Sequence, residues 1–176
     1  MTGMELQNDT VINVAALLRE PMGATRSLDL HLESLPLDDV LVARDFEGQI
    51  RLTRLSDDIL ASINGTTAVE LECQRCLESF IQPVQVKFSQ EFRIAYDVRT
   101  GAGLAGETED EDEEFEISAN HELDFREPLR QEILIELPMR PSCGENCPGP
   151  PQVERGDEDE LIDERFAALS ALLDDE

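Results

Sequence analysis

Apolar residues recur on every second position over long stretches of this chain, which is the signature of half-buried β-strands. From Ser27 the set Leu28, Leu30, Leu32 alternates with polar residues, and Pro36 closes the run. Val40, Val42, Phe46, Ile50 and Leu52 fall on even numbers, and Ile59, Ala61, Ile63, Thr67, Val69, Leu71 and Cys73 on odd ones. Each set is interrupted by a glycine, Gly48 or Gly65, and both arms share one parity. A two-residue turn would send the arms to opposite faces, so the reading that keeps them together is a hairpin with a three-residue loop. Gly65 and Gly48 then take left-handed conformations in bulged turns. The longest alternation, Val84, Val86, Phe88, Gln90, Phe92, Ile94, Tyr96, predicts an antiparallel strand with one buried face and Pro83 at its start.

The remaining pattern is sparser. Residues 11–20, VINVAALLRE, predict a short strand or a one- to two-turn helix before Pro21. Phe115 and Ile117 add a short strand. Phe125, Leu129, Ile133 and Leu137 recur every four residues and mark a helix that Pro138 stops, with Asp124 and Glu127 as its capping box. Ile162, Phe166, Leu169 and Leu173 predict a second amphipathic helix near the end. The fold class expected is α+β: mainly antiparallel sheet or a partly open barrel, with two or three short helices, the last two in the C-terminal third.

Length adds that 176 residues suffice for one domain with a real hydrophobic core, here 1–176. Charge changes the picture more. The net charge is −26, and 24 of the 40 acidic residues lie after residue 100. Residues 100–116, TGAGLAGETEDEDEEFE, read as a flexible acidic insertion within the domain. A field of that sign repels phosphate backbones, so little direct binding to bare nucleic acid is expected and a basic protein is the better partner. Solubility alone explains the charge equally well. No run reaches the roughly 20 apolar residues of a membrane span, and the polar, acidic N-terminus carries no basic leader region, so a reduced, cytoplasmic protein without membrane contact is expected.

The sharpest chemistry lies in the four cysteines. Cys73 and Cys76 form a CxxC at a predicted strand end, and Cys143 and Cys147 a CxxxC among Pro141, Gly144 and Pro148. Two close thiolate pairs suit a tetrahedral Zn²⁺. All four ligands being thiolates, such a site is closed and structural. The 66 residues between the pairs exceed those of an ordinary zinc ribbon. Buried, metal-free thiols and a redox-active CxxC stand as alternatives. His31 and His121 are isolated, and Arg75 pairs locally with Glu72 or Glu78. No phosphate-binding glycine loop, nucleophile elbow or HExxH is present, so no catalytic residue and no enzyme is expected.

The segments INVAALLREPMGATR, GQIRLTR, VELECQRCLESF, FREPLRQEILIELPMRPSCGENC and DERFAALSALL, in that order, resemble the YceD-like family, also called the large ribosomal RNA subunit accumulation protein family. The resemblance implies a non-enzymatic role in accumulating large-subunit ribosomal RNA, with a gene often beside that of a small zinc-binding ribosomal protein. A basic ribosomal protein or a large-subunit precursor is then the partner expected. Many members continue after the CxxxC with Gly-Leu-Cys-Pro-x-Cys-Gly; here PGPPQVERGDEDE follows Cys147, so only Cys73, Cys76, Cys143 and Cys147 carry over. The competing readings are a zinc-stabilised interaction adaptor unrelated to ribosomes and a CxxC thiol oxidoreductase.

Overall fold

The computed structural model describes residues 4–94 and 115–150. Eight strands, β1 (Met4–Gln7), β2 (Val11–Asn13), β3 (Thr25–Pro36), β4 (Val42–Arg54), β5 (Asp58–Glu72), β6 (Ser79–Ile94), β7 (Glu116–Ile117) and β8 (Glu122–Asp124), precede helix α1 (Arg126–Glu136). Six form one sheet curved into a half-barrel, in the order β1-β3-β4-β5-β6-β7. β3 to β6 are antiparallel neighbours, while the short edge strands β1 and β7 add in parallel. β2 and β8 pair separately. Leu28, Leu30, Leu32, Ile50, Leu52, Ile59, Ile63, Val84, Val86 and Phe92 fill the inner face, joined by Phe125, Leu129 and Ile133 around the helix.

The fold is mostly strand with a single α-helix among the described residues, which corrects the expectation of two or three helices with two in the last third. Residues 11–20 divide into β2 and one 3-10 turn, Leu17–Arg19. The predicted terminal helix, and the acidic insertion up to residue 114, lie outside the described residues. Among those described, no helix is long and apolar enough to cross a membrane.

The two glycine hairpins are also corrected. Gly48 and Gly65 stand opposite one another in the middle of β4 and β5, and neither has a positive φ. A Cβ on Gly65 would lie 2.6 Å from Cζ of Phe46 and 2.7 Å from the Glu47 carbonyl; one on Gly48 would lie 2.6 Å from the Asn64 carbonyl. The glycines exist because the buried ring of Phe46 lies over them and the backbones approach closely. β5 is therefore unbroken, with odd positions buried from Ile59 to Leu71. Even parity does fail in β4, through a bulge: Arg44 faces Ala68 but Glu47 faces Thr66, and Asp45 takes a left-handed φ of 51°. The extra residue switches the buried set from odd Ala43 to even Phe46, so Val42 is only partly covered and Val40 is exposed. Pro83 lies inside β6 rather than at its start, on a stretch where one side of the strand has no neighbour in the sheet among the described residues. A missing N–H is tolerated there.

Helix α1 begins differently from a capping box. Phe125 is the N-cap, Asp124 Oδ1 accepts from the Arg126 N–H at 2.9 Å, and Glu127 turns to Arg130 at 2.6 Å. Arg130 also donates to the Leu37 carbonyl at 2.7 Å, tying the helix to the β3–β4 connection. The helix ends at Leu137, whose extended ψ of 139° is what the following Pro138 demands.

Candidate metal centre

The turn between β5 and β6 carries the first cysteine pair, so the longest hairpin of the sheet holds it out at one end. Leu77 N–H donates to the Cys73 carbonyl at 2.9 Å, and Cys73 N–H to the Glu78 carbonyl at 2.9 Å. Leu77 is left-handed, with φ 62°, which lets the chain reverse and enter β6. Both sulfurs are thereby turned to one side.

The second pair arrives from the far end of α1. After Pro138 the chain passes the hairpin tip, where Gln74 N–H donates to the Pro141 carbonyl at 3.0 Å and Gln74 Nε2 to the Met139 carbonyl at 3.3 Å. Gly144, at φ 101°, makes the reversal between Cys143 and Cys147, and its carbonyl accepts from Cys147 N–H at 3.2 Å. Open space surrounds its would-be Cβ, so conformation rather than crowding selects glycine.

These two turns bring all four sulfurs within 4.8 Å of one another. Cys73 Sγ is 3.8 Å from Cys147 Sγ, and Cys76 Sγ is 3.6 Å from Cys143 Sγ. Zn–S bonds of about 2.3 Å in a tetrahedron give edges of roughly 3.8 Å, so the cluster can hold one metal ion. The sulfurs are free thiols rather than two disulfides; Cys73 is buried and the others are partly covered.

Their protonation is uneven. Backbone N–H groups of Cys76, Cys143 and Arg75 aimed at its sulfur lower the Cys73 pKa to about 6. Cys143 is pushed up to about 12 by burial and by the neighbouring thiols. At Cys76 the Glu78 N–H favours the thiolate, but burial and the Cys73 and Cys147 sulfurs outweigh it and raise the pKa. Four negative sulfurs cannot coexist without a cation between them. A divalent ion held here would supply that charge and displace the protons that remain.

Other sequence candidates stay apart from this centre. His31 Nδ1 lies 3.9 Å from Glu47 on the sheet, and His121 occupies the turn before β8. Arg75 makes no ion pair among the described residues, correcting the pairing expected with Glu72 or Glu78; its main-chain N–H, not its guanidinium, serves the site. The clamp through Gln74, Met139 and Pro141 carried no cysteine or charge signal in the sequence.

Residues 61–173 match the family model described as "Large ribosomal RNA subunit accumulation protein YceD", a span that includes both cysteine pairs. Uncharacterized proteins of Mycobacterium tuberculosis and Mycobacterium bovis are 32% identical over 133 residues, covering 70% of this chain and 60% of theirs. The chain thus spans about 60% of the length of these two relatives. An uncharacterized protein of Mycobacterium leprae is 29% identical over 188 residues, covering 98% of this chain and 81% of its own. No solved structure matches.

Proposed function

This chain belongs to the YceD family of large ribosomal RNA subunit accumulation proteins, and from that premise we propose that it is a non-enzymatic, cytoplasmic accessory factor in large-subunit biogenesis, its C-terminal loop fastened by a structural Zn²⁺. Its partner is a basic large-subunit protein or a precursor particle containing one. The match over residues 61–173 carries the reading. Zinc is favoured among metals because four thiolates at tetrahedral spacing are its preferred donors. With no ligand position left for water, the ion's role is to hold the fold. A charge of −26 supplies the attraction to a basic protein and keeps affinity for bare RNA negligible at physiological salt.

Depleting the protein from cells should lower large-subunit ribosomal RNA while sparing the small-subunit RNA. Chain purified without chelator should contain about one zinc, and the Cys73→Ser variant should neither retain it nor restore the RNA. Unchanged RNA on depletion would overturn the ribosomal assignment. Turnover of a disulfide substrate by the metal-free protein would favour the thiol oxidoreductase instead.

A further inference from the structure

The outer face of the sheet carries a feature that the acidic composition conceals. Gln49, Asn64 and Lys87 stand in one cross-strand row of β4, β5 and β6, and Arg51, Ser62 and Ser89 in the next. Together they line a shallow groove of about 570 Å³ without a carboxylate. Lys87 is the chain's one lysine. It and Arg51 occupy opposite corners of the patch, and neither has an ion-pair or hydrogen-bond partner among the described residues. Carboxylates lie only beyond it: Asp29, one strand further out, accepts from Gln49 Nε2 at 3.0 Å, and Glu47 and Glu91 stand in the rows on either side. Ser62 and Ser89 share one hydrogen bond at 2.8 Å, which uses one hydroxyl hydrogen and leaves the other to donate outward.

In a chain of net charge −26, a carboxylate-free groove whose two cations have no partner among the described residues is a local exception to the repulsion of phosphate. We infer that this face receives a short single-stranded RNA segment, its backbone phosphates on Arg51 and Lys87 and its sugars and base edges against the serines and amides. The inference rests on the proposed ribosomal function, and it places the RNA of a precursor beside the protein component that the acidic residues attract. An open groove crossing three strands suits a strand of nucleotides. A site for one free phosphate would converge backbone N–H groups on a point, and here the ladder consumes them. With two cations the contact is weak alone and gains from the simultaneous hold on a basic protein.

The test is amide-resolved NMR of the full chain titrated with decauridylate at low salt. Saturable shifts confined to residues 49–51, 62–64 and 87–89 are expected, absent in the Arg51→Gln/Lys87→Gln variant and retained in Arg19→Gln, which removes an exposed charge outside the groove. In Arg51→Gln or Lys87→Gln alone, binding should weaken and the salt slope of log K flatten by roughly 0.7. Both substituted side chains face solvent, so the rest of the spectrum should be unchanged. Shifts elsewhere, shifts surviving the double substitution, or the same shifts with inorganic phosphate at equal concentration would overturn the assignment. Cell depletion reads the underlying function separately: oligonucleotide binding at this face together with unchanged ribosomal RNA would refute the ribosomal role and leave the groove standing.

Discussion

The centre of the sheet and its cysteine end are held together by different physics. At the centre, Phe46 is 1% exposed and lies over Gly48 and Gly65, with Leu30 and Val86 in the same row. Stability there comes from excluded water and close packing, which need no cofactor. At the cysteine end several large apolar side chains face outward: Leu77 is 57% exposed, Ile81 61% and Met139 97%. Two hydrogen bonds from Gln74 and four sulfurs join the hairpin tip to the loop beyond α1. The first region is specified by pattern and volume, the second by two hydrogen bonds and a thiol cluster able to hold a metal ion, so they should fail independently.

The largest effect is expected at the centre. Phe46→Ala empties a packed site and should cost about 3–5 kcal/mol, equally with and without chelator, by denaturant unfolding. Gly65→Ala drives a methyl into that ring and the Glu47 carbonyl, and about 1–3 kcal/mol is expected for such overpacking. If either cost depended on metal, the two regions would be one cooperative unit.

Metal removal comes next. An ion joining residue 73 to residue 147 closes a long loop, and its loss should cost on the order of a few kcal/mol, as a cross-link of that span would. Hydrogen exchange should show residues 73–78 and 139–147 losing protection while β3 to β5 keep theirs. Cys143→Ser should reproduce the chelated state and be insensitive to further chelation. Collapse of protection throughout the sheet would contradict the separation.

The metal-free state should also differ between the regions in its response to pH. Cys73 has a folded pKa near 6 against an unfolded value of about 9, so folding stabilises its thiolate. That contribution is fully present above about pH 9 and is lost as pH falls through 6. Cys143, raised to about 12, behaves oppositely, contributing below pH 9 and losing its contribution as pH rises through 12. Between pH 6 and 9 the chelated protein should therefore gain stability, and Cys73→Ser should flatten that slope. Phe46→Ala should lower the whole curve without changing its shape.

The same division explains what could be read in the chain. Strand positions and buried faces were legible because alternation is a local consequence of strand geometry, as in Leu28 to Leu32 and Val84 to Phe92. Whether the chain turned at Gly48 and Gly65 was not. Constant parity from Ile59 to Leu71 fits both a three-residue loop and a straight strand, and the deciding fact, Phe46 lying over both glycines, belongs to the pairing of two strands. The bulge at Asp45 was equally invisible, since one extra residue has no compositional mark. Cysteine spacing singled out the four candidate ligands, yet only the topology brings pairs 66 residues apart within 4.8 Å.

The smallest effect tests how much of the clamp belongs to hydrogen bonds rather than to sulfur. Gln74→Ala removes the 3.3 Å bond to the Met139 carbonyl but leaves the main-chain bond to Pro141. Gln74 is exposed, so both freed groups recover water, and the loss should stay at or below about 1 kcal/mol. With metal bound, the four-thiolate site holds the loop in place and the melting temperature should scarcely move. Without metal, this bond is one of only two from Gln74 still pinning the loop to the hairpin, so the variant should open more often. Metal transfer to a competing chelator, which needs partial opening before each sulfur leaves, should then be faster in Gln74→Ala by a factor of up to about five. An unchanged transfer rate would mean that sulfur alone fastens this end.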